Sequence, residues 1–325
     1  MQKLGARPVI IPIASGKGGA GKSVFAASLA INLARRGARV VAADLDLGGS
    51  NLHTYLGLPN TNPGVGDFLK QQRRELQKLL VPTSFNGLRF LPGDGKTPFM
   101  ANIPSQQRFL LLSQLQQLPA DYVIIDLGAG SALNTMNLFG LARNGIVITT
   151  LDTPAMMNAL VFLRNFMFAN IISLTAKRAP IKKDLLAAYR RSAGGANLTV
   201  EEVYRLIERH DPLLARETRK RCGGFQPRLV YNMADEAEEL QVAQRIESTM
   251  KKNLSLQSST LGLLFHDPAV RLAVRKNRVF LQDHPDTPYA RGLAAITERI
   301  LQPPAAPRLD DLIREAATHR AAPAR

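Results

Sequence analysis

The chain has 325 residues, 45% of them apolar, with 42 Lys and Arg against 26 Asp and Glu and a formal net charge of +16. The length supports a large core, as one domain with an excursion or as two, and the apolar share excludes global disorder. Cys222 is the single cysteine, which excludes an intrachain disulfide framework and any metal or iron–sulfur site built from paired thiols of this chain.

Lys3 and Arg7 precede the apolar run Val9–Ala14, as in a short secretory leader. The run feeds straight into a glycine-rich loop with no small-residue cleavage segment, so it reads as a first buried strand and the chain as cytoplasmic. Pro12 predicts one irregular rung in that strand. Apolar residues at helical spacing from Ser23 to Arg36 predict a helix closed by Gly37. Further strands are expected at Val40–Ala43, ending on Asp44, at Tyr122–Ile125, ending on Asp126, at Ile146–Thr150, at Arg228–Tyr231 and at Leu261–Phe265. Helical stretches lie between them at Pro104–Leu118, Ala132–Arg143 and Pro154–Asn170. The longest apolar stretch, Ala159–Leu174, is interrupted by Arg164, Asn165, Asn170 and Ser173, so no bilayer span is expected. Alternating strands and helices predict an α/β fold, a mostly parallel twisted sheet with helices on both faces. Polar residues gather where strands end, and in such sheets ligands bind at the carboxyl ends.

The rhythm breaks at about 171–227, where no strand pattern appears. Thr199 and Glu202 form a capping box that opens a helix through Arg209, and a second helix is expected over Leu213–Arg221. We read the segment as a helical, partner-binding insertion within an ATPase domain of residues 1–302. Between Lys177 and Arg221 it carries twelve Lys and Arg against six acids. Residues 303–325 begin Pro-rich and are expected to form a mobile or weakly helical tail.

Gly16-Lys17-Gly18-Gly19-Ala20-Gly21-Lys22-Ser23 matches G-x-x-x-x-G-K-[ST] between a strand and a helix. In such a loop the backbone amides close around phosphate oxygens, where side chains would collide. Lys22 reaches the β- and γ-phosphates, the Ser23 hydroxyl binds Mg2+, and the helix aims its amino end at the anion. The chemistry calls for ATP and Mg2+. Asp126, at a strand end on the phosphate side, is placed to hold the metal through water.

Lys17 is a second lysine near the start of the loop, the mark of the deviant Walker A sequence K-G-G-x-x-K-[ST]. Here the chain resembles the MinD/ParA family of P-loop ATPases, and more closely its MinD and FlhG branch. Ala43-Asp44-Leu45-Asp46-Leu47-Gly48-Gly49-Ser50-Asn51-Leu52 looks like that branch's first switch. Tyr122 to Gly130, with Asp126, Gly128 and Gly130, resembles its Walker B strand and second switch. Thr149 to Pro154 sits where the family has TTPEP, with the acid and prolines rearranged. Leu229-Val230-Tyr231-Asn232-Met233 resembles the strand whose Asn reads adenine, although Asn232 also reads as a cap for the next helix. His266-Asp267-Pro268-Ala269-Val270 with Ala273 resembles the late loop near the base. The motifs run in order over roughly Pro8 to Gln302.

The resemblance implies that Asp46 positions the attacking water and that Asp44 supports it or the metal shell. It also implies that Lys17 crosses the interface of an ATP-bound homodimer to the partner's phosphates. The function expected is a nucleotide-switched dimer that positions a flagellum, division site, chromosome or other cargo, answering to a stimulating or effector protein. The basic surface predicts docking on nonspecific DNA in preference to anionic membrane, since Asp310, Asp311 and Glu315 interrupt the apolar spacing of Leu309, Leu312, Ile313 and Ala316 that an interfacial helix would need. Other readings are a nucleotide-dependent scaffold with little hydrolysis, a metal-cluster carrier, which lacks the cysteines it needs, and a tyrosine kinase, whose tail would carry a tyrosine cluster.

Overall fold

The computed structural model describes residues 7–70, 75–93, 103–192, 198–302 and 307–321. Lys3 and residues 303–306 and 322–325 of the tail lie outside them. The expected strands form β1 (Val9–Ala14), β2 (Val40–Leu45), β5 (Tyr122–Leu127), β6 (Ile146–Thr150), β7 (Arg228–Ala234) and β8 (Ser259–Phe265), joined by β3 (Val81–Pro82) and β4 (Leu88–Leu91). They build one eight-stranded sheet in the order β3-β4-β2-β5-β1-β6-β7-β8. All pairings are parallel except that of β3 with β4.

Successive residues of each strand feed two different cores, as the two-residue side-chain period demands. Val40, Ala42, Ile124, Ile146 and Ile148 face one core with α1 (Lys22–Arg35), α2 (Leu52–Tyr55), α12 (Phe280–Asp283) and α13 (Pro288–Leu301). Val41, Ala43, Val123, Ile125, Leu127 and Val147 face the other. That core contains α3 (Val65–Lys70), α4 (Ser105–Leu115), α5 (Leu133–Phe139), α6 (Thr153–Thr175) and α10 (Val242–Leu254). Pro12 has no N–H to give a ladder. Accordingly β1 pairs with β5 from Val9 to Ile13 but with β6 only through Ile13 and Ala14.

Between α6 and β7 the described chain is wholly helical: α7 (Ala179–Ser192), α8 (Val200–His210) and α9 (Pro212–Cys222). Both halves of the Thr199/Glu202 capping box form. By length and composition α6 is apolar enough to cross a membrane. Its Phe162, Leu163, Phe166, Met167 and Ile171 are buried in the core, which is what makes the helix so apolar.

The tail, expected to be mobile or weakly helical, is helical over most of its described part. Its described part holds α14 (Leu309–Ala321), with Leu312 and Ala316 buried in the core that includes Ala237, Leu240, Leu263 and Phe265, and the helix also packs on α13. Glu315 pairs with Arg299, and the Arg291 guanidinium donates to the His319 carbonyl at 2.6 and 2.9 Å. The helix therefore covers the sheet edge at β8, where an open ladder would invite pairing.

Candidate functional site

The loop between β1 and α1 carries Gly16, Lys17, Gly18, Gly19, Ala20 and Gly21, and α1 opens on Lys22 and Ser23. Two of its glycines are required by contact. A Cβ on Gly16 would lie 2.2 Å from the Asn158 backbone of α6, and one on Gly21, at φ +82°, would lie 2.2 Å from the Asn232 amide nitrogen. Gly18 and Gly19 face open space, where a phosphate chain can approach.

Beneath the loop the sheet brings three carboxylates toward one lysine. β2 and β5 pair with Asp44 opposite Asp126. Lys22 Nζ donates to Asp126 Oδ1 at 2.7 Å, and both side chains are buried. Among the described residues Asp126 Oδ2 is buried without a hydrogen-bond partner. Burial raises the pKa of Asp126 above the ordinary carboxylate value, while Lys22 and then the Ser23 hydroxyl oppose that rise. Asp44 is fully buried, and desolvation, reinforced by the negative charge of Asp126, pushes it up to about 7. Its Oδ1 accepts from the Asp46 N–H at 3.1 Å and its Oδ2 from the Leu52 N–H at 3.0 Å, so it ties both ends of the first switch. The Asp46 carboxylate lies against Gly128, where a Cβ would come within 3.2 Å of it.

An orphaned buried carboxylate oxygen, a hydroxyl and a second buried carboxylate form a hard oxygen set. This fits Mg2+, which takes one or two carboxylates and completes its shell with phosphate and water. Ser23, Asp126 and Asp44 are the residues able to supply it. Among the described residues no cluster of three or more His, Cys, Asp or Glu forms a ready metal cage.

A cavity of about 330 Å³ adjoins the loop, lined by Gly19, Gly21, Tyr55, Asn232, Asp267 and Arg271 among others. The Asn232 amide donates to the Ala20 carbonyl at 2.9 Å, while its Oδ1 is buried without a partner. The alternative role of Asn232, capping the following helix, is therefore not adopted. Asp267 Oδ1 accepts the Ala269 N–H at 2.9 Å and caps α11 (Pro268–Arg275), and its Oδ2 is again buried and unpartnered. Asn232 and Asp267 both line the cavity, and each holds a buried acceptor with no partner among the described residues; such acceptors suit a ligand with paired N–H donors, as an adenine amino group has. Lys17 stands apart from this group: it is exposed, and its charge acts on Asp152, the cap of α6.

Sequence reasoning missed Tyr55, Met233, Phe265 and Tyr289 on the cavity wall. Only Met233 left a trace, as the residue after Asn232. It holds a left-handed φ of +61°, where the β7–β8 register shifts between Tyr231 and Ala234. A depression of about 550 Å³ near Arg39, Phe85 and Arg89 lies by the amino ends of β2 and β4, away from these carboxylates.

The geometry agrees with known proteins. The family model described as "ParA: NUBPL iron-transfer P-loop NTPase" matches residues 7–175. The septum site-determining protein MinD of Helicobacter pylori is 28% identical over 207 residues, 61% of this chain and 74% of that protein. The flagellum site-determining protein YlxH of the same organism is 30% identical over 56% of this chain and 62% of its own length. The chain spans about half the length of the relatives it matches in Oltmannsiellopsis viridis and Tupiella akineta, 48% and 49%. Among solved structures, MinD of Pyrococcus horikoshii, complexed with Mg-ADP, superposes with a TM-score of 0.61 over 91% of this chain and 96% of that one, at 19% identity. The site, the sheet order and these matches together establish that the chain belongs to the MinD/ParA family of P-loop NTPases.

Proposed function

We propose that the chain binds and hydrolyses ATP as a dimeric switch that positions a cellular structure. The observation that carries this reading is the convergence of Lys22, Asp126 and Asp44 beneath the Gly16–Ser23 loop. On nucleotide binding Lys22 exchanges Asp126 for the β- and γ-phosphates; Ser23, Asp126 and Asp44 would hold Mg2+, whose charge would offset that of the phosphates. Asp46 orients the water whose oxygen attacks the γ-phosphorus as the bond to the β-bridging oxygen breaks, giving ADP and phosphate. Lys17, exposed and outside its own site, reaches the phosphates of a second copy and offsets charge in the transition state. Gly128 and Gly130 let the second switch relax when the γ-phosphate leaves. Asn232 and Asp267 receive the adenine.

Relatives named for septum and flagellum sites, and a plasmid partition protein bound to AMPPNP among the structural neighbours, support positioning as the task. A MinC:MinD cell division protein complex among them supports an effector protein as partner. One relative, in Pseudomonas fragi, is named an iron-sulfur cluster carrier protein. Cys222, the chain's only thiol, is fully buried on α9 and pushed up to about 11 by that burial, so this chain has no exposed thiolate to carry a cluster. The docking surface we favour is polyanionic, DNA before lipid. Lys177, Lys182, Lys183, Arg190, Arg209, Arg216 and Lys220 of the insertion are exposed and form no ion pair among the described residues. Phosphate release with Mg-ATP, together with the cellular position of a fluorescent fusion with and without Lys22, tests the reading. A wild-type chain that neither binds ATP nor takes up a defined position would end it.

A further inference from the structure

We infer that Asn232 is a positioning residue for the phosphate loop as well as a base reader, so that one side chain couples the two ends of the nucleotide. The inference rests on the nucleotide-site reading above and adds a second role to one of its residues. The two halves of the Asn232 amide face different tasks. Its nitrogen is spent on the protein, donating at 2.9 Å to the carbonyl of Ala20 inside the loop. Its oxygen is buried with no hydrogen-bond partner among the described residues, and the residue lines the cavity. The residue is 3% exposed, so water does not compete for either half. The contact bridges residues 212 apart in sequence.

The fit is tight on the loop side. Gly21 holds φ +82°, and a Cβ there would come within 2.2 Å of the Asn232 nitrogen. The loop therefore closes directly over this amide, and the carbonyl it holds sits one residue before that turn. Fixing the Ala20 carbonyl fixes the peptide plane joining Ala20 to Gly21, and with it the direction of the Gly21 N–H toward the phosphate side. Asn232 is itself held in place, since the left-handed Met233 follows it and β7 pairs Thr150 with it on the other side. A base that engages Oδ1 would brace the same amide that holds the loop. Adenine occupancy would then lower the ordering cost of the triphosphate cradle, a preorganisation effect.

The probe that separates the two roles is a phosphate chain with no base. Mg-tripolyphosphate and Mg-ATP would be titrated by calorimetry, or by displacement of a fluorescent ATP analogue, against wild type, Asn232→Ala and Asn232→Leu. Leu keeps the side-chain volume while removing both the donor and the acceptor. Circular dichroism would verify that each variant is folded. Loss of one net hydrogen bond corresponds to about a fivefold weakening, and loss of two to about thirtyfold. We expect tripolyphosphate to weaken about fivefold and ATP about thirtyfold in both variants. Hydrogen exchange in nucleotide-free protein adds a readout that needs no ligand: the amides of residues 16–23 should exchange faster in the variants. A folded variant with weakened ATP binding, unchanged tripolyphosphate binding and unchanged loop exchange overturns the positioning role and leaves base reading intact. Failure of wild type to bind either ligand would instead overturn the nucleotide-site reading.

Discussion

Removing the phosphate-loop lysine should cost stability as well as nucleotide. Lys22 and Asp126 are 8% and 1% exposed at their side chains and meet at 2.7 Å. Lys22→Ala leaves the Asp126 carboxylate buried opposite Asp44 with no counter-charge, and with Oδ2 already unsatisfied among the described residues. Breaking one partner out of a buried pair costs about 3–5 kcal/mol. For a chain of 325 residues, the unfolding entropy makes 1 kcal/mol worth about 1.5 °C, so Tm should fall by about 4–7 °C. Asp126→Asn in the Lys22→Ala background removes the stranded charge and should restore part of that loss, giving a favourable coupling in the double-mutant cycle. Thermal unfolding of nucleotide-free wild type, the two single variants and the double variant reads this directly, with ATP titration in parallel. If Lys22→Ala unfolds at the wild-type temperature, or the double variant falls by the sum of the single losses, the ion pair does not have the energetic role assigned to it.

Other consequences reach further from the loop. Lys17→Ala should bind ATP with near wild-type affinity yet remain monomeric by light scattering, and an ATP-dependent dimer of normal strength would refute a lysine acting across the interface. Leu312→Ala should cost about 2–5 kcal/mol, a fall of about 3–7 °C in Tm, because Leu312 is 3% exposed on the buried face of α14. An unchanged Tm would mean that the helix is not docked in solution. Binding to random duplex DNA should strengthen with ATP, weaken steeply between 50 and 200 mM salt, and fall when Lys182, Lys183 and Arg190 are changed to Glu; ATP-dependent binding to anionic liposomes without DNA binding would instead put the membrane first.

What could be read from sequence was governed by range. The phosphate loop and the strands ending at Asp44 and Asp126 are local patterns, and each fell where its motif required. The capping box at Thr199 was equally local. β3 and β4 escaped because they are two and four residues long, one containing Pro82 and the other interrupted by Arg89; β4 exists because β2 offers it an edge, and β3 because β4 does. The docking of α14 depends on ion pairs to Arg299 and Glu236, and its composition alone says little about a partner surface. The ties from Lys22 to Asp126 and from Asn232 to Ala20 span 104 and 212 residues. No local pattern encodes them, although both ends of each were candidate site residues.

The central claim is that ATP joins two copies and that hydrolysis releases them. Its most direct test is the mass of Asp46→Ala by light scattering with Mg-ATP and with Mg-ADP, with phosphate release followed in the same samples. Loss of a water-positioning carboxylate should slow turnover by about a hundredfold while leaving affinity nearly unchanged. The variant should therefore accumulate as a dimer with ATP and remain a monomer with ADP. A variant that hydrolyses ATP at the wild-type rate, or that stays monomeric while saturated with ATP, would contradict the account.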